Sequence, residues 1–588
     1  MIRNGVVLAH GGSVKKERSA GLRPRHTPRA ALGALACIVV YAAGPPGCRR
    51  PEPQAPPEAR VNPGVWFEDV VDSSGVSFVH TSGHTGRYWF PEISIGGVGL
   101  LDYDGDGYLD IYFVQGGGID PVPAEKPPNR LYRNKGDWTF EDVTVSSGTG
   151  DTGYGSGCTC ADYDGDSDVD IYVTNLGPNV LYRNNGDGTF TNVTASAGVG
   201  DASGGASSAF VDYNRDGALD LFIANYLHWS KDKEIECFSA SGHRDYCNPM
   251  NYRSPARDTL YRNRRDGTFE DVSAEAGLTA VFGNGLGVAC ADYNLDGRVD
   301  IYVANDGMPN QLWLNRGNNR FEDDALFSGC AVNGNGMSEA GMGVAAVDLH
   351  DDGDFDLFMS HLRGETNTLY VNQGGVFDDA TSAMGVGAPS LGFTGFGLGF
   401  ADYDNDGRLD LYVANGSVRL PPVQYDAQDP FAQPNLLFRG TSDGRFEEVM
   451  PRGGTSKLLV ATSRGAAFGD LDNDGDVDIV VANKDAKPHL LRNIAPRRGN
   501  WVQFRVLDRN GGDALGAVLR VEAGHRKRWY MAQAGYSYCA SNDPRVHVGL
   551  GEHQRVDAVN VRWPDGTEEA FGHYECGKTY ELRRGTGK

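Results

Sequence analysis

Seven short acidic segments of this chain have residue types and spacing that suit a hard cation. Each is a nine-residue loop with carboxylate or amide oxygens at most of its first, third, fifth and ninth positions, followed by a β-prone segment. Ca²⁺ takes roughly six to eight oxygen ligands, so these side chains and the backbone carbonyl at the seventh position can enclose one ion. Glycine at the sixth position permits the sharp turn, because it accepts a positive φ. The pattern predicts calcium cages.

The predicted ligands, including each seventh-position residue for its carbonyl, belong to seven loops. They are Asp102, Asp104, Asp106, Tyr108 and Asp110; Asp162, Asp164, Asp166, Asp168 and Asp170; Asp212, Asn214, Asp216, Ala218 and Asp220; Asp292, Asn294, Asp296, Arg298 and Asp300; Asp348, Asp352, Asp354 and Asp356; Asp402, Asp404, Asp406, Arg408 and Asp410; and Asp470, Asp472, Asp474, Asp476 and Asp478. We therefore expect up to seven Ca²⁺ sites.

Two of the loops depart from the pattern. The second has Ser167 at the sixth position, where a side chain costs energy in a left-handed turn. The fifth has His350 at the third position, where a hard cation prefers oxygen to an imidazole nitrogen. These two loops, 162–170 and 348–356, are expected to be the poorest calcium sites.

The charge of the chain limits its partners. Its 588 residues carry a formal net charge of −24. Such a chain repels phosphate, so nucleic acid is not expected as a partner. The acidity is concentrated in the predicted cages, where bound cations would offset it.

A second motif follows each acidic loop and predicts the architecture. It is Leu-Tyr-Arg-Asn or a close variant, as at Leu131–Asn134, and in most repeats a Gly-containing turn and a Phe-Glu-Asp-Val-like strand come next. The acidic loops recur every 50 to 80 residues, and a repeat of several short strands at such a period indicates a β-propeller. We expect an all-β fold with seven blades. The strand at Trp66–Val70 precedes the first loop and should complete the last blade, which leaves no open edge.

The run from Phe396 to Gly407, Phe-Gly-Leu-Gly-Phe-Ala-Asp-Tyr-Asp-Asn-Asp-Gly, resembles the FG-GAP/VCBS repeat of integrin-α-like propellers. The resemblance covers residues 65–496 and implies calcium in the loops and an interaction surface on the blades. Residues 497–588 alternate like the strands of a small β-sandwich. Their motifs, including His547-Val-Gly-Leu-Gly551 and Val561-Arg-Trp-Pro564, resemble the ASPIC/UnbV domain. The combination is similar to bacterial relatives of cartilage acidic protein.

The N-terminal region predicts export. In residues 1–48, basic residues precede an apolar run from Ala31 to Ala43, which is typical of a signal peptide and too short to span a bilayer. Cys48 follows it, so the alternatives are simple secretion, a retained N-terminal anchor or a lipid anchor through this cysteine. Residues 49–64 are rich in Pro and Glu and predict a disordered linker. The protein is expected outside the cell or in the cell envelope, with membrane contact only through this N-terminal segment.

Cysteine positions predict two disulfides in such an oxidising location. Cys237 and Cys247 flank a polar insertion and are the first expected pair. Cys539 and Cys576 are the two cysteines of the C-terminal domain and are the second. Cys160 and Cys290 precede acidic loops in a buried register and are expected to be core thiols.

Two function classes follow from these motifs. The first is an extracellular calcium-binding interaction or adhesion protein that presents a glycan or protein ligand at one propeller face. Trp229, Tyr246, Tyr252 and Tyr425 lie in long intervals that would rim this face, and either stack on a ligand or pack against the blades. The second class is a secreted hydrolase or lyase acting on polysaccharide or lipid.

The enzyme alternative needs a convergent acid–base set. His80 and His84 have a spacing that suits two metal ligands, but a polar loop at a blade entrance is the favoured explanation; His243 and His361 have the same status. His80 with Arg87 and a nearby carboxylate is one possible set. The sequence contains no H-E-x-x-H motif, and it predicts no helical segment that could complete a G-x-S-x-G elbow or a Walker loop.

Overall fold

The computed structural model describes residues 64–120, 125–496 and 499–588. The predicted signal segment, Cys48 and all of the linker except its last residue lie outside these ranges. The described residues belong to one compact unit built from strands and a few one-turn helices, which confirms the all-β class. No helix within these ranges is both long and apolar enough to cross a bilayer.

Within the described residues, seven antiparallel sheets contain four strands of the repeat each. In the order in which the strands pair, they are Val98–Leu101, Asp110–Phe113, Arg130–Asn134 and Phe140–Asp142 (sheet 1); Gly155–Ala161, Asp170–Asn175, Val180–Asn184 and Phe190–Asn192 (sheet 2); Gly205–Val211, Asp220–Asn225, Thr259–Asn263 and Phe269–Asp271 (sheet 3); Gly285–Ala291, Asp300–Asn305, Gln311–Gly317 and Arg320–Asp323 (sheet 4); Val344–Val347, Asp356–Met359, Thr368–Asn372 and Phe377–Asp379 (sheet 5); Gly395–Ala401, Asp410–Asn415, Leu436–Gly440 and Phe446–Glu448 (sheet 6); Ser463–Gly469, Asp478–Asn483, His489–Asn493 and Phe67–Asp69 (sheet 7).

The first strands of the sheets contact one another in cyclic order, from sheet 1 through sheet 7 and back to sheet 1. Glycine permits their close approach: a Cβ on Gly399 would lie 2.5 Å from the ring of Phe468. Phe67 pairs with Asn493, so the N-terminal strand does complete the last sheet, as the sequence predicts. Apolar clusters such as that of Tyr302, Leu312 and Leu357 fill the space between neighbouring sheets.

The remaining short elements of the repeat region lie in its turns and insertions. One-turn α-helices are Thr144–Ser147, Thr194–Ala197, Ser273–Ala276, Ala325–Ser328, Thr381–Met384 and Gly387–Ser390; 3-10 turns are Phe90–Ile93, Lys231–Lys233, Pro249–Asn251 and Arg452–Gly454. Two further two-stranded ribbons pair Cys237–Phe238 with Arg244–Asp245 and Gln433–Pro434 with Val460–Ala461.

The C-terminal domain contains two main sheets. One has the strand order Val546–Gly551, Asn500–Leu507, Thr579–Arg583, and the other Arg526–Met531, Val518–Ala523, Ala558–Arg562, Glu568–Phe571; a small ribbon joins Arg555–Val556 to Tyr574–Glu575. Their apolar faces share one core that includes Phe504, Leu519 and Trp563. The C-terminal domain is therefore rich in β-strands, as expected.

Residues 534–543 of the C-terminal domain leave the sandwich and lie among the first strands of the repeat region; we call them the axial segment. Ala540–Ser541 adds a parallel strand to sheet 1 at Val98. The Ser537 hydroxyl accepts a hydrogen bond from Leu398 N and donates one to Ala466 O, each 2.9 Å long. The segment also forms hydrogen bonds with sheets 2, 3 and 5, in the residue pairs Cys160–Ser541, Ser207–Cys539 and Val344–Ser537. It therefore joins six of the sheets at their centre.

This placement overturns one disulfide expectation. Cys539 is fully buried in the axial segment and its thiol is free, as is that of Cys576, within the described residues. The expected Cys539–Cys576 disulfide is wrong because Cys539 faces the sheets and not the core of its own domain. Cys237 and Cys247 do form a disulfide. Cys160 is buried and Cys290 packs, partly exposed, against a core cluster.

Candidate functional site

Each acidic loop joins the first and second strands of its sheet, and its first aspartate organises the turn. In the first loop, Asp102 Oδ1 accepts a hydrogen bond of 3.1 Å from Asp106 N, and Oδ2 accepts one of 3.0 Å from Gly107 N. The first aspartate of every other loop accepts the amide at the sixth position in the same way. The loop backbone therefore curls around its own first carboxylate and brings the other acidic side chains inward.

The ninth-position aspartate connects the loop to the second motif. Asp110 is fully buried, and its two oxygens accept hydrogen bonds of 3.0 Å from Tyr103 N and 2.8 Å from Asn134 N. The Asn134 amide in turn donates to Leu471 O, in the acidic loop of sheet 7, at 2.8 Å. The asparagine of Leu-Tyr-Arg-Asn thus ties six of the seven loops to that of the preceding sheet, a role that sequence reasoning missed; in sheet 6 the position is Gly440. The equivalent residues are Asn184, Asn263, Asn315, Asn372 and Asn493.

Four of the seven loops gather three carboxylates whose oxygens all lie within 4.8 Å of one another. Three loops use the first, third and ninth positions, and one uses the first, third and fifth. The groups are Asp102, Asp104 and Asp110; Asp162, Asp164 and Asp170; Asp470, Asp472 and Asp478; and Asp402, Asp404 and Asp406. Oxygen ligands at this separation suit a hard cation.

The other three loops lack such a carboxylate triple among the described residues, and each differs at its third position. Asn214 and Asn294 replace the carboxylate by an amide in the third and fourth loops. In the fifth loop His350 Nδ1 lies 3.0 Å from Asp356 Oδ2, so the imidazole engages the ninth-position carboxylate directly.

Ser167 does not prevent the second loop from closing. Its φ is 78°, in the left-handed region that glycine occupies in the other loops. The Ser167 hydroxyl donates a hydrogen bond of 3.0 Å to Asn510 O in the C-terminal domain. This contact offsets part of the backbone cost, and the second loop has the same carboxylate geometry as the first and seventh.

Burial and mutual repulsion raise the pKa values of the loop carboxylates. Burial is the main cause, and it raises the pKa of Asp162 to about 6, of Asp470 to about 7 and of Asp300 to about 8. Asp104 Oδ1 and Asp406 Oδ1 are buried and make no hydrogen bond within the described residues. Buried oxygens of this kind and crowded negative charge fit a bound Ca²⁺, since a cation would satisfy both.

The C-terminal domain lies against these acidic loops. Arg562 Nη1 is 2.8 Å from Asp292 Oδ2, Arg528 Nε is 3.3 Å from Asp351 Oδ1, and Arg545 Nη2 donates to Asp470 O at 2.8 Å. A cavity of about 360 Å³ remains between the domain and the first two loops, with Asp102 and Asp162 on its wall. The loop face is therefore largely covered by another part of the same chain.

The histidines singled out in the sequence lie on the opposite face. His80 is 1% exposed, accepts a hydrogen bond of 3.2 Å from Asp485 N, and has a pKa that burial lowers to about 4. Arg87 pairs instead with Asp120 at 3.3 Å, so His80 and Arg87 have separate partners. His84 Nδ1 lies 2.6 Å from Glu92 Oε2, a contact that sequence reasoning missed.

The aromatic residues of the long intervals divide between packing and exposure. Tyr246 is 2% exposed and packs in a core cluster, as the packing alternative predicts. Trp229 and Tyr252 are half-buried and both donate hydrogen bonds to Glu234. Tyr425 is exposed. The insertion thus presents aromatic edges around the half-buried carboxylate of Glu234.

Comparison with known proteins identifies both parts of the chain. The model of the FG-GAP-like repeat matches residues 102–173, 162–223, 231–303, 292–359, 348–413 and 427–481, and that of ASPIC and UnbV matches 508–588. Cartilage acidic protein 1 of Homo sapiens is 28% identical over 306 residues, which cover 50% of this chain and 43% of the relative. Cartilage acidic protein 1 of Xenopus tropicalis is 27% identical over 310 residues, which cover 50% of this chain and 44% of the relative. The chain thus spans less than half the length of these relatives.

Two solved structures of low sequence identity align with part of this chain. An Agrocybe aegerita lectin, described as recognising non-reducing terminal N-acetylglucosamine, has 17% identity and a TM-score of 0.37, with 62% of this chain and 82% of the lectin covered. A rhamnogalacturonan lyase has 15% identity and a TM-score of 0.37, with 68% and 71% covered. The repeat matches and the cyclic set of four-stranded sheets together indicate a β-propeller fold.

Proposed function

The chain belongs to the FG-GAP-like repeat family, and on that premise we propose that it is an exported calcium-binding interaction protein. The seven sheets are the blades of a seven-bladed propeller. Ca²⁺ ions in the acidic loops stabilise the blades, and the face away from the loops binds an extracellular glycan or protein ligand.

The observation that carries the calcium proposal is the convergence of three carboxylates in each of four loops. Asp104 and Asp404 would each bind an ion from the third position of their loops. Without a cation, the buried like charges repel one another and destabilise the fold. A cation that binds only the folded chain stabilises it by about 2.7 kcal/mol per site at a hundredfold excess over its Kd.

Metal analysis of the full-length chain tests this proposal. After dialysis against millimolar Ca²⁺ and removal of free ions, four to seven Ca²⁺ per chain are expected, since four loops hold a complete carboxylate triple and seven carry the motif. Asp104→Ala and Asp404→Ala should each remove one ion. Asp187→Ala is the matched control, because Asp187 is an exposed turn aspartate bonded to Thr189 outside the loops. Retention of no calcium by the wild-type chain would refute the proposal.

The position of the C-terminal domain supports the assignment of the ligand face. The domain covers the acidic loops, and its axial segment occupies the centre of the ring. The opposite face carries the insertion closed by Cys237–Cys247, whose Phe238 is 62% exposed, and Tyr425, which is 40% exposed. Large apolar side chains exposed in this way are common in interaction surfaces.

Arrays of extracellular glycans and matrix proteins, probed with the full-length chain in calcium, test the ligand face. Phe238→Arg and Tyr425→Arg should weaken binding, because they place charge on an apolar contact. Leu326→Arg is the control, since Leu326 is 72% exposed on the short helix Ala325–Ser328 at the outside of sheet 4. Equal binding by all three variants would show that the ligand, if any, contacts another surface.

A further inference from the structure

Three polar side chains from two distant segments meet on the face away from the acidic loops. Glu92 lies in the 3-10 turn Phe90–Ile93, His84 precedes it, and Tyr246 belongs to the disulfide-closed insertion. Glu92 Oε2 is 2.6 Å from His84 Nδ1 and accepts a hydrogen bond of 2.8 Å from Tyr246 Oη. The three groups therefore share one carboxylate oxygen.

This hydrogen bonding determines which imidazole nitrogen of His84 remains available as an acceptor. Because Tyr246 donates to Glu92 Oε2, that oxygen is an acceptor, and His84 Nδ1 must supply the hydrogen of the second contact. In the neutral ring Nε2 then keeps its lone pair. The His84 side chain is 31% exposed, whereas that of Glu92 is fully buried. A buried carboxylate that holds a half-exposed imidazole in one orientation makes a defined acceptor at the surface.

The surroundings of this acceptor are aromatic and include a second carboxylate oxygen of Glu92. The ring of Tyr88, which is half-buried, lies edge-on to His84 at 4.9 Å and to Tyr246 at 5.0 Å. Glu92 Oε1 is buried and makes no hydrogen bond in the part of the chain that is described. Three cations in the described part of this region are paired: Arg87 with Asp120, Lys484 with Asp485 at 2.7 Å, and Arg244 with Glu236 at 3.5 Å.

We propose that His84, held by Glu92 and Tyr246, is a recognition site for the hydroxyl groups of a carbohydrate. A sugar supplies neutral hydroxyl donors for His84 Nε2 and apolar C–H faces for the exposed edge of Tyr88, which together match acceptors set among aromatic rings. A phosphorylated or sulfated ligand would need unpaired cations, and Arg87 and Lys484 are paired. The site rests on the proposed function and narrows its ligand class to glycans.

The test uses an array of neutral and uronate-containing oligosaccharides probed with the full-length chain in calcium, followed by calorimetric titration of a bound sugar. His84→Ala is expected to lower affinity about three- to tenfold, the equivalent of one hydrogen bond. Tyr246→Phe, which preserves packing but removes the bond to Glu92, is expected to weaken binding less. A per-O-methylated form of the sugar should not bind, because it has no hydroxyl to donate.

His243→Ala is the matched control, since His243 lies in the same insertion, is exposed, and has its Nδ1 bonded to Ser241. Melting curves check that each variant folds. If His84→Ala does not fold, the affinity of Tyr246→Phe tests the site instead. Sugar binding that is unchanged in both variants would overturn the site and leave the proposed function intact. Binding of matrix proteins but of no sugar would overturn the carbohydrate assignment, and binding of neither would overturn the ligand-face proposal itself.

Discussion

Replacement of Ser537 by alanine should destabilise the repeat region and the C-terminal domain together. Its buried hydroxyl accepts from Leu398 N of sheet 6 and donates to Ala466 O of sheet 7. Alanine leaves both backbone groups without their partner in a closed interior. Each such unsatisfied group costs about 1–3 kcal/mol, so we expect a loss of roughly 2–5 kcal/mol.

The expected change in melting temperature follows from the size of the folded unit. At about 2.1 cal/mol/K per residue, roughly 520 residues that unfold together give an unfolding entropy near 1.1 kcal/mol/K. A loss of 2–5 kcal/mol then lowers the Tm by about 2–5 °C. Differential scanning calorimetry of the full-length chain in calcium measures this shift and shows whether one transition or two are present.

Two further variants make the test specific. Ser537 has a φ of 82°, which glycine accepts without strain, so Ser537→Gly should be about 1 kcal/mol less harmful than Ser537→Ala. Ser196→Ala is the control, because the exposed Ser196 hydroxyl bonds only to Val193 O in its own short helix, and it should change stability by less than about 0.5 kcal/mol. Two separate transitions, with that of the repeat region unchanged in Ser537→Ala, would refute the role of the axial segment.

Three more predictions concern the cages and a buried histidine. Asp406→Ala should lose the calcium-dependent stabilisation of one site, roughly 2.7 kcal/mol at a hundredfold excess of the ion over its Kd, whereas His350→Ala should lose little. Thermal unfolding in calcium measures both variants, and equally small losses of stability would contradict this prediction. Burial raises the pKa of Asp212 to about 6 and that of Asp300 to about 8. Between pH 4 and 8 the folded chain therefore binds more protons than the unfolded chain. Chelator-treated protein should lose stability as the pH rises through this range. Calcium should raise the urea midpoint more at pH 8 than at pH 5. An equal rise at both pH values would contradict this prediction. Burial lowers the pKa of His361 to about 4, so between pH 4 and 6.5 the unfolded chain binds a proton that the folded chain does not. Stability should therefore fall as the pH falls through this window. His361→Asn, which introduces the residue found at the same position of other sheets, should flatten the dependence of the urea midpoint on pH in this window.

The sequence determined the repeat and its closure. Acidic loops, Leu-Tyr-Arg-Asn and the Phe-Glu-Asp-Val-like strands are local patterns, and the structure places them in equivalent positions of seven sheets. The extra strand before the first loop predicted the pairing of Phe67 with Asn493, because each sheet needs an outer strand. Local spacing also brought the first, third and ninth carboxylates together in three loops, since a nine-residue turn leaves their side chains little other room.

Tertiary structure alone decided what surrounds the repeat. Val98 and Ala540 lie in parallel strands, and His84 shares its carboxylate partner with Tyr246, although no local pattern relates either pair. Cys539 belongs by sequence to the sandwich, yet it is buried among the blades with a free thiol. These contacts depend on how two separately patterned regions pack, and packing between distant segments depends on shape and on buried hydrogen bonds that periodicity does not encode. The sequence therefore determined the repeat and its acidic loops, and only the packing of the C-terminal domain on the repeat region decided which face is covered and which is left open.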